Sequence, residues 1–327
     1  MKLFLLCFLI LIPAFLASEV WDSFKKTYNK SYATLGEENF RKQIFLERLK
    51  IIEEQNHKFE RGLSSFSVTI NQFADLTKEE LFKTKPDGSQ GGKVGSSARP
   101  SRPREDVPDS IDWRDYGVIT PVVDQMFCES CWAFAVVGTV EAHVGIYRQE
   151  DVRLSQQNLV DCVDINFDCD QYLDIQMVDK TYQYITDNNG IDTVESYPYE
   201  SYNVGPCRFS SETIGAKIAG YVNVTEGDEE ELKTVVGTIG PVTVVITTDM
   251  MWGAYQNGVY YNEDCMNTTE IFNHVVVVVG YGNENGEDFW LVKNSWGTWF
   301  GQEGYIKMAR NRDNNCGIAS IARYPIM

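Results

Sequence analysis

The chain has 327 residues, 43% of them hydrophobic and 13% aromatic, a globular balance without the Gly and Pro enrichment that marks disorder. Its formal net charge of −18 excludes duplex nucleic acid as an expected partner, because such binding needs a basic patch. The charge is uneven: residues 1–106 carry 17 Lys+Arg against 14 Asp+Glu, and from Val107 onward the count is 12 against 33. Two readings of that contrast stand. Either these are two unrelated solvated surfaces, or the first part docks on the second and loosens when carboxylates protonate.

The N-terminus, MKLFLLCFLILIPAFLAS, sets one lysine before an apolar run and closes on the small residues Ala17 and Ser18. This predicts a secretory leader over residues 1–18, too short for a membrane span. No other stretch is apolar and long enough to cross a bilayer, so the chain is expected on the secretory route, where disulfides form.

Of the eight cysteines, Cys7 leaves with the leader, and Cys128, Cys131, Cys162, Cys169, Cys207, Cys265 and Cys316 remain. Seven is odd, so at least one is free or paired to another chain. A free thiol here is either inert and buried or a nucleophile. The pair in QMFCESCWAF lacks the second close Cys/His pair of a zinc site, and a redox CxxC leaves five cysteines unexplained.

A nucleophilic thiol needs a base, and the chain has three histidines. His57 lies in the leading third. His143 follows Cys131 by twelve residues in the apolar run AFAVVGTVEAHVGIY, which puts it on the same helix face but roughly 18 Å further along. It is read as structural. His274 remains, in the strand-like run IFNHVVVVVGYG, and Asn294 follows in LVKNSWG, a second strand-like run with a polar corner.

QMFCESCWAF, NHVVVVVGYG and VKNSWGTWFGQEGY together resemble the three signature blocks of the papain-like cysteine peptidases, close to the cathepsin L branch. The spacing agrees, His274 lying 143 residues after Cys131. The leading part resembles the same family's pro-region. Glu37, Arg41, Phe45, Ile52 and Asn56 fit its helical pattern, with Arg48 where an Asn is usual. Asn71, Phe73 and Asp75 fit a second motif, with Thr69 where Gly is usual. VPDSIDWRDYGVITPV looks like the start of a mature enzyme, and residues 84–106, rich in Gly, Ser, Pro and Arg, look like a linker holding the activation cleavage, near Val107.

The resemblance implies an α+β, two-lobed fold: a helical lobe with Cys131 and a strand-rich lobe from about Ile218 with His274 and Asn294, the cleft between them. The division is then leader 1–18, inhibitory propeptide 19–106 and peptidase domain 107–327. Cys131 and His274 are implied to form a thiolate–imidazolium pair, favoured by a helix N-terminus at Cys131. Asn294 would orient the imidazole, Trp296 would shield that contact and line the cleft, and Gln125 with the Cys131 N–H would hold the oxyanion. The family's disulfide pattern is Cys128–Cys169, Cys162–Cys207 and Cys265–Cys316. The uncleaved pro-segment would block the cleft, with maturation expected at about pH 4–5, near carboxylate pKa values.

Three places depart from the pattern. Met126 and Glu129 replace glycines of the cysteine block. Glu129 would border the site for the substrate residue before the cut and favour Lys or Arg there; it would also stabilise an imidazolium or disfavour a thiolate, or else point to solvent. The glycine pair usual after Cys169 is missing, and alignment on YQYITDNNGID puts Met177 and Val178 near the second specificity pocket. Phe300 replaces a usual Trp, and Val275 should make that second pocket shallower.

Asn29, Asn223 and Asn267 open sequons and are candidate glycosylation sites. The acidic run EGDEEE lacks EF-hand spacing, so a solvated loop is expected there, and neither metal nor cofactor is expected. The reading is a monomeric, secreted or lysosomal cysteine endopeptidase made as a zymogen, acting on proteins or peptides, with its own propeptide as intramolecular inhibitor. The rivals are a weakened homologue that binds peptides without turnover, and a structural disulfide protein.

Overall fold

The computed structural model describes residues 14–81, 107–164, 166–170, 173–202, 205–265 and 272–327, with side chains from Ser18. The expected linker, most of the expected leader and Asn267 lie outside the described residues.

Helices α1 (Ala14–Thr27) and α2 (Leu35–Glu60), strand β1 (Phe66–Val68) and α3 (Lys78–Leu81) form the leading segment. Thr34 caps α2 by accepting the Glu37 N–H, and the Glu37 carboxylate accepts Ala33 N–H in return, a reciprocal cap written in the sequence. Trp21, Phe24, Phe45 and Ala74 make a small core. Asn56 holds β1 on α2 as a backbone would, donating to Val68 O and accepting Val68 N–H, each at 2.9 Å.

From residue 107 the order is β2 (Ile111–Asp112), α4 (Cys131–Arg148), α5 (Gln156–Cys162), α6 (Gln176–Asp187), β3 (Ile191–Asp192), β4 (Ile214–Ala216), β5 (Gly220–Asn223), α7 (Glu229–Thr238), β6 (Val242–Ile246), α8 (Met250–Gly253), β7 (Tyr255–Tyr260), β8 (His274–Glu284), β9 (Glu287–Lys293), β10 (Tyr305–Ala309) and β11 (Ile321–Ile326). This is the expected α+β, two-lobed architecture. The main sheet runs β1-β7-β10-β9-β8-β6-β11-β5, with β2 also paired to β8.

The valine run explains why the lobes meet at β8. Val275, Val277 and Val279 pack into the core shared with α4, α5 and α6, while Val276 and Val278 face the strand-lobe core with Trp290 and Val292. A strand apolar on both faces reads as a continuous hydrophobic run, and that is why polar alternation is absent here. His274, the first residue of β8, is thereby placed where the strand meets the helical lobe.

The leading segment docks through β1, which pairs antiparallel with β7 as an added edge strand. Val259 N–H donates to Ser65 O at 2.9 Å, Thr69 N–H to Ala254 O at 2.8 Å, and the Asn71 amide to Gly253 O at 2.6 Å. Gly258 permits the approach: its φ is +83°, and a Cβ there would meet Ser65 O at 2.1 Å.

Charge does not make this contact. The ion pairs of the leading segment, Lys25–Glu38, Lys30–Asp75 and Arg41–Glu80, are internal to it, and among the described residues none within 4.0 Å crosses to the remainder. Arg48 is half-buried and feels Asp249 across the boundary, but its partial removal from water outweighs that attraction. Of the two readings of the charge contrast, docking through charge finds no crossing ion pair among the described residues; hydrogen-bonded strand edges and aromatic rings join the two parts.

Candidate active site

Cys131 is the first residue of α4, and its N-cap, Ser130, makes no side-chain cap bond; the Ser130 carbonyl accepts the Ala133 N–H at 2.8 Å, and no side-chain cap takes up the N–H groups of Cys131 and Trp132. The backbone N–H groups of Val275, Trp132 and Cys131 favour the thiolate of Cys131, against its burial. Val275 directly follows His274 in the chain.

His274 Nε2 lies 2.7 Å from Asn294 Oδ1. Oδ1 only accepts, so Nε2 carries the proton and Nδ1 is the free nitrogen. Trp296 covers this pair at 5.1 Å from the imidazole, and Trp252 meets it edge-on at 5.2 Å. Phe300 packs on Trp252 at 4.9 Å and on Trp296 at 5.4 Å, filling the aromatic corner where Trp is usual.

Burial acts on both groups. Burial, with a smaller contribution from the Glu129 carboxylate, pushes the Cys131 thiol up to about 12. Burial pulls His274 down to about 4, against the Asn294 contact that favours the cation. Burial thus weighs against the charged form of each group, while the backbone N–H groups near the sulfur and the Asn294 contact favour it.

Gln125 is buried, donating one amide N–H to Cys128 O at 2.9 Å and accepting the Ser295 hydroxyl at 2.6 Å. An amide has two N–H donors, so one remains. Tyr199 braces the loop, its hydroxyl donating to Gln125 O at 2.8 Å and lying 2.9 Å from the Ser130 hydroxyl. Ser295, Tyr199 and Trp252 were not found from sequence. Only Ser295 carried a signal, its place in the NSW block.

Met126 has φ +57° and is 61% exposed, so the glycine it replaces marks a left-handed position, which the Asp124 carboxylate supports by accepting Met126 N–H at 2.8 Å. Glu129 has no such backbone, is half-buried, and donates its N–H to Cys169 O at 3.0 Å. Met177 and Val178 sit in the first turn of α6, buried in the cluster that holds Cys131 and Val275 rather than on an open wall.

Disulfides join Cys128 to Cys169, Cys162 to Cys207 and Cys265 to Cys316, leaving Cys131 as the free thiol. His143 is buried on α4 with Nε2 2.9 Å from Pro241 O, a structural role. Among the described residues no cluster of three His, Cys, Asp or Glu is placed to hold a metal. No described helix is long and apolar enough to cross a membrane.

Residues 107–326 match the papain family cysteine protease profile, and residues 21–81 match the cathepsin propeptide inhibitor domain. The chain is 43% identical over 310 residues to digestive cysteine proteinase 1 of Homarus americanus, covering 94% of this chain and 95% of that one. It is 42% identical to cathepsin L of Sarcophaga peregrina, covering 96% and 94%. Its fold superposes on digestive procathepsin L 3 of Tenebrio molitor larval midgut with a TM-score of 0.83 and 37% identity, covering 95% and 99%. The chain is therefore a member of the papain family of cysteine proteases, built as a zymogen with its cathepsin-type inhibitory propeptide in place.

Proposed function

We propose that Cys131 is the nucleophile, His274 the general base and acid, Asn294 the orienting residue and Gln125 an oxyanion donor. The observation that carries this is the 2.7 Å His274 Nε2–Asn294 Oδ1 contact at the start of β8, whose next residue, Val275, packs in the same buried cluster as the helix-start Cys131. His274 Nδ1 takes the thiol proton, the thiolate attacks the scissile carbonyl, and the imidazolium returns the proton to the leaving amine. The oxyanion meets the free Gln125 N–H and the Cys131 N–H. Water then releases the acyl group.

The enzyme on this reading is a monomeric endopeptidase that is secreted, extracellularly or to a gut lumen, or sent to lysosomes, with domains 1–18, 19–106 and 107–327. The exposed Asn29 is the best placed sequon; Asn223, in β5, is half-buried. The test is acid activation followed by profiling of a peptide library, with Cys131→Ala as control. Absence of thiol-dependent cleavage would move the chain to the peptide-binding reading.

Glu129 is assigned to the site for the substrate residue before the cut. Glu129→Gly is expected to lose preference for Lys or Arg at that position and to lower the thiol pKa, since the carboxylate disfavours the thiolate. Library profiles and the pH dependence of thiol alkylation measure both; indifference to a basic residue in the parent enzyme refutes the assignment.

Maturation is proposed to occur at about pH 4–5, near ordinary carboxylate values. The Arg41 guanidinium holds Glu80 down to about 2. A depressed carboxylate stabilises the fold above its unfolded pKa, and that stability is lost as pH falls through the folded value. The Arg41–Glu80 pair thus begins to weaken below about 4.5 and is fully lost only near 2. Glu80→Gln removes this contribution at all pH values and is expected to shift half-maximal processing upward in pH, read by gel conversion. A parent zymogen that matures as fast at pH 7 as at pH 4 would sink the acid trigger.

A further inference from the structure

Behind the candidate site, between the lobes, lies a cavity of about 270 Å³. Val275 and Val277 of β8, Ala135 and Gly138 of α4, and Asn294 contribute to its lining. Around it β8 and α4 pack through apolar side chains, and wherever the void interrupts that packing the walls lose contact energy. A polar chain links the two sides as well.

Lys293 closes β9 next to Asn294 and is only 8% exposed. Its ammonium donates to the Thr120 carbonyl at 2.7 Å and to the Thr120 hydroxyl at 3.1 Å. That hydroxyl donates to Glu141 Oε2 at 2.6 Å, and Glu141 Oε1 accepts Leu154 N–H at 2.7 Å. Glu141 lies on α4 ten residues after Cys131, about 15 Å along one helix. A chain of hydrogen bonds therefore runs from the neighbour of Asn294 to the helix that begins with the nucleophile.

The charges facing Lys293 are Glu141, which stabilises the ammonium, and Arg153, which opposes it; burial pulls Lys293 down to about 8. Buried charge pairs are weak stabilisers compared with apolar residues of the same size, and their best-attested use is to fix one arrangement.

We propose that Lys293 is a positioning residue: through Thr120 and Glu141 it ties the end of β9, with Asn294 and the imidazole that Asn294 holds, to α4 at a set distance from the Cys131 sulfur. This rests on the roles assigned above to Cys131, His274 and Asn294. A second, independent link joins the lobes, where the Thr139 and Thr243 hydroxyls lie 2.7 Å apart and the Tyr182 hydroxyl is 2.9 Å from Thr243. Removal of the Lys293 link therefore leaves the lobes joined.

The test uses the full chain, matured at acid pH, as the parent and as Lys293→Met, Thr120→Val and Thr120→Ser. Active sites are counted by irreversible thiol alkylation, and kcat, KM, the pH profile of iodoacetamide reaction at Cys131 and Tm are measured. Lys293→Met is expected to lose roughly tenfold to hundredfold in kcat per titrated site, since small misplacements of reacting groups carry such costs. KM should move less than twofold, and alkylation between pH 5 and 6 should slow in parallel. Thr120→Val should move the same way and Thr120→Ser should restore both readouts. Parent-like kcat and alkylation profile with only a lowered Tm would overturn the proposal. If Lys293→Met fails to mature, the Thr120 pair decides on the same criteria. Hydrolysis that survives complete alkylation of the parent would overturn the nucleophile assignment, and the positioning proposal with it.

Discussion

Replacing Cys131 with alanine is expected to abolish peptide hydrolysis, by a factor on the order of 10⁴–10⁶, and to leave the zymogen uncleaved at acid pH. Cys131 is the one free cysteine among the described residues, so no second thiol stands ready to replace it. The loss should come without unfolding. The sulfur is buried at the helix start, the three disulfides are untouched, and alanine is a good helix former. Parallel measurement of hydrolysis and near-UV circular dichroism separates the two effects. A folded Cys131→Ala protein with parent-like turnover would end the nucleophile assignment.

Gln125→Ala is expected to lower kcat by roughly 10²–10³ with KM little changed, the usual cost of one oxyanion donor. The amide does two further things that alanine does not: it accepts the Ser295 hydroxyl and donates to Cys128 O. The variant therefore also loosens the link between the cysteine loop and the turn after Asn294. Gln125→Glu tests the charge, because a carboxylate has acceptor oxygens toward Ser295 but repels an oxyanion. Its kcat should fall at least as far as that of the alanine variant. If Gln125→Glu turned over like the parent, Gln125 would be a brace alone. Steady-state kinetics on sites counted by thiol titration gives both values.

Much of the site was legible because its chemistry is local in sequence. The helix behind Cys131, the doubly buried valine strand behind His274 and the turn at Asn294 each carry their own pattern of apolar residues and punctuation. Residues acting across long separations were not legible. Tyr199 reaches back 74 residues to Gln125, and Lys293 reaches back 173 to Thr120, and neither leaves any periodicity. The two-residue strand β2 and the three-residue β1 are too short to show alternation, so their pairing with β8 and β7 had no signal. Net charge could not choose between its two readings for a different reason. It sums over whole surfaces, whereas docking depends on the few groups at the contact, and those are backbone amides and aromatic rings. The burial that acts on Cys131 and His274 was hidden too, because burial is a property of the folded chain and not of the motif.

The pairing of β1 with β7 makes maturation a change in the sheet's boundary as well as the opening of a cleft. Once the propeptide leaves, the backbone groups between Tyr255 and Val259 that served Ser65 to Val68 become an open selvedge, kept soluble by the exposed side chains of Gln256 and Asn257. The released fragment then competes with water for that border. Its hold on the enzyme in trans depends on whether α2, through Asn56 and Gln55, keeps β1 extended after the cut. Inhibition that outlasts cleavage is therefore a property of the fragment's own folding, and a fragment that melts at the pH of release frees the enzyme for good.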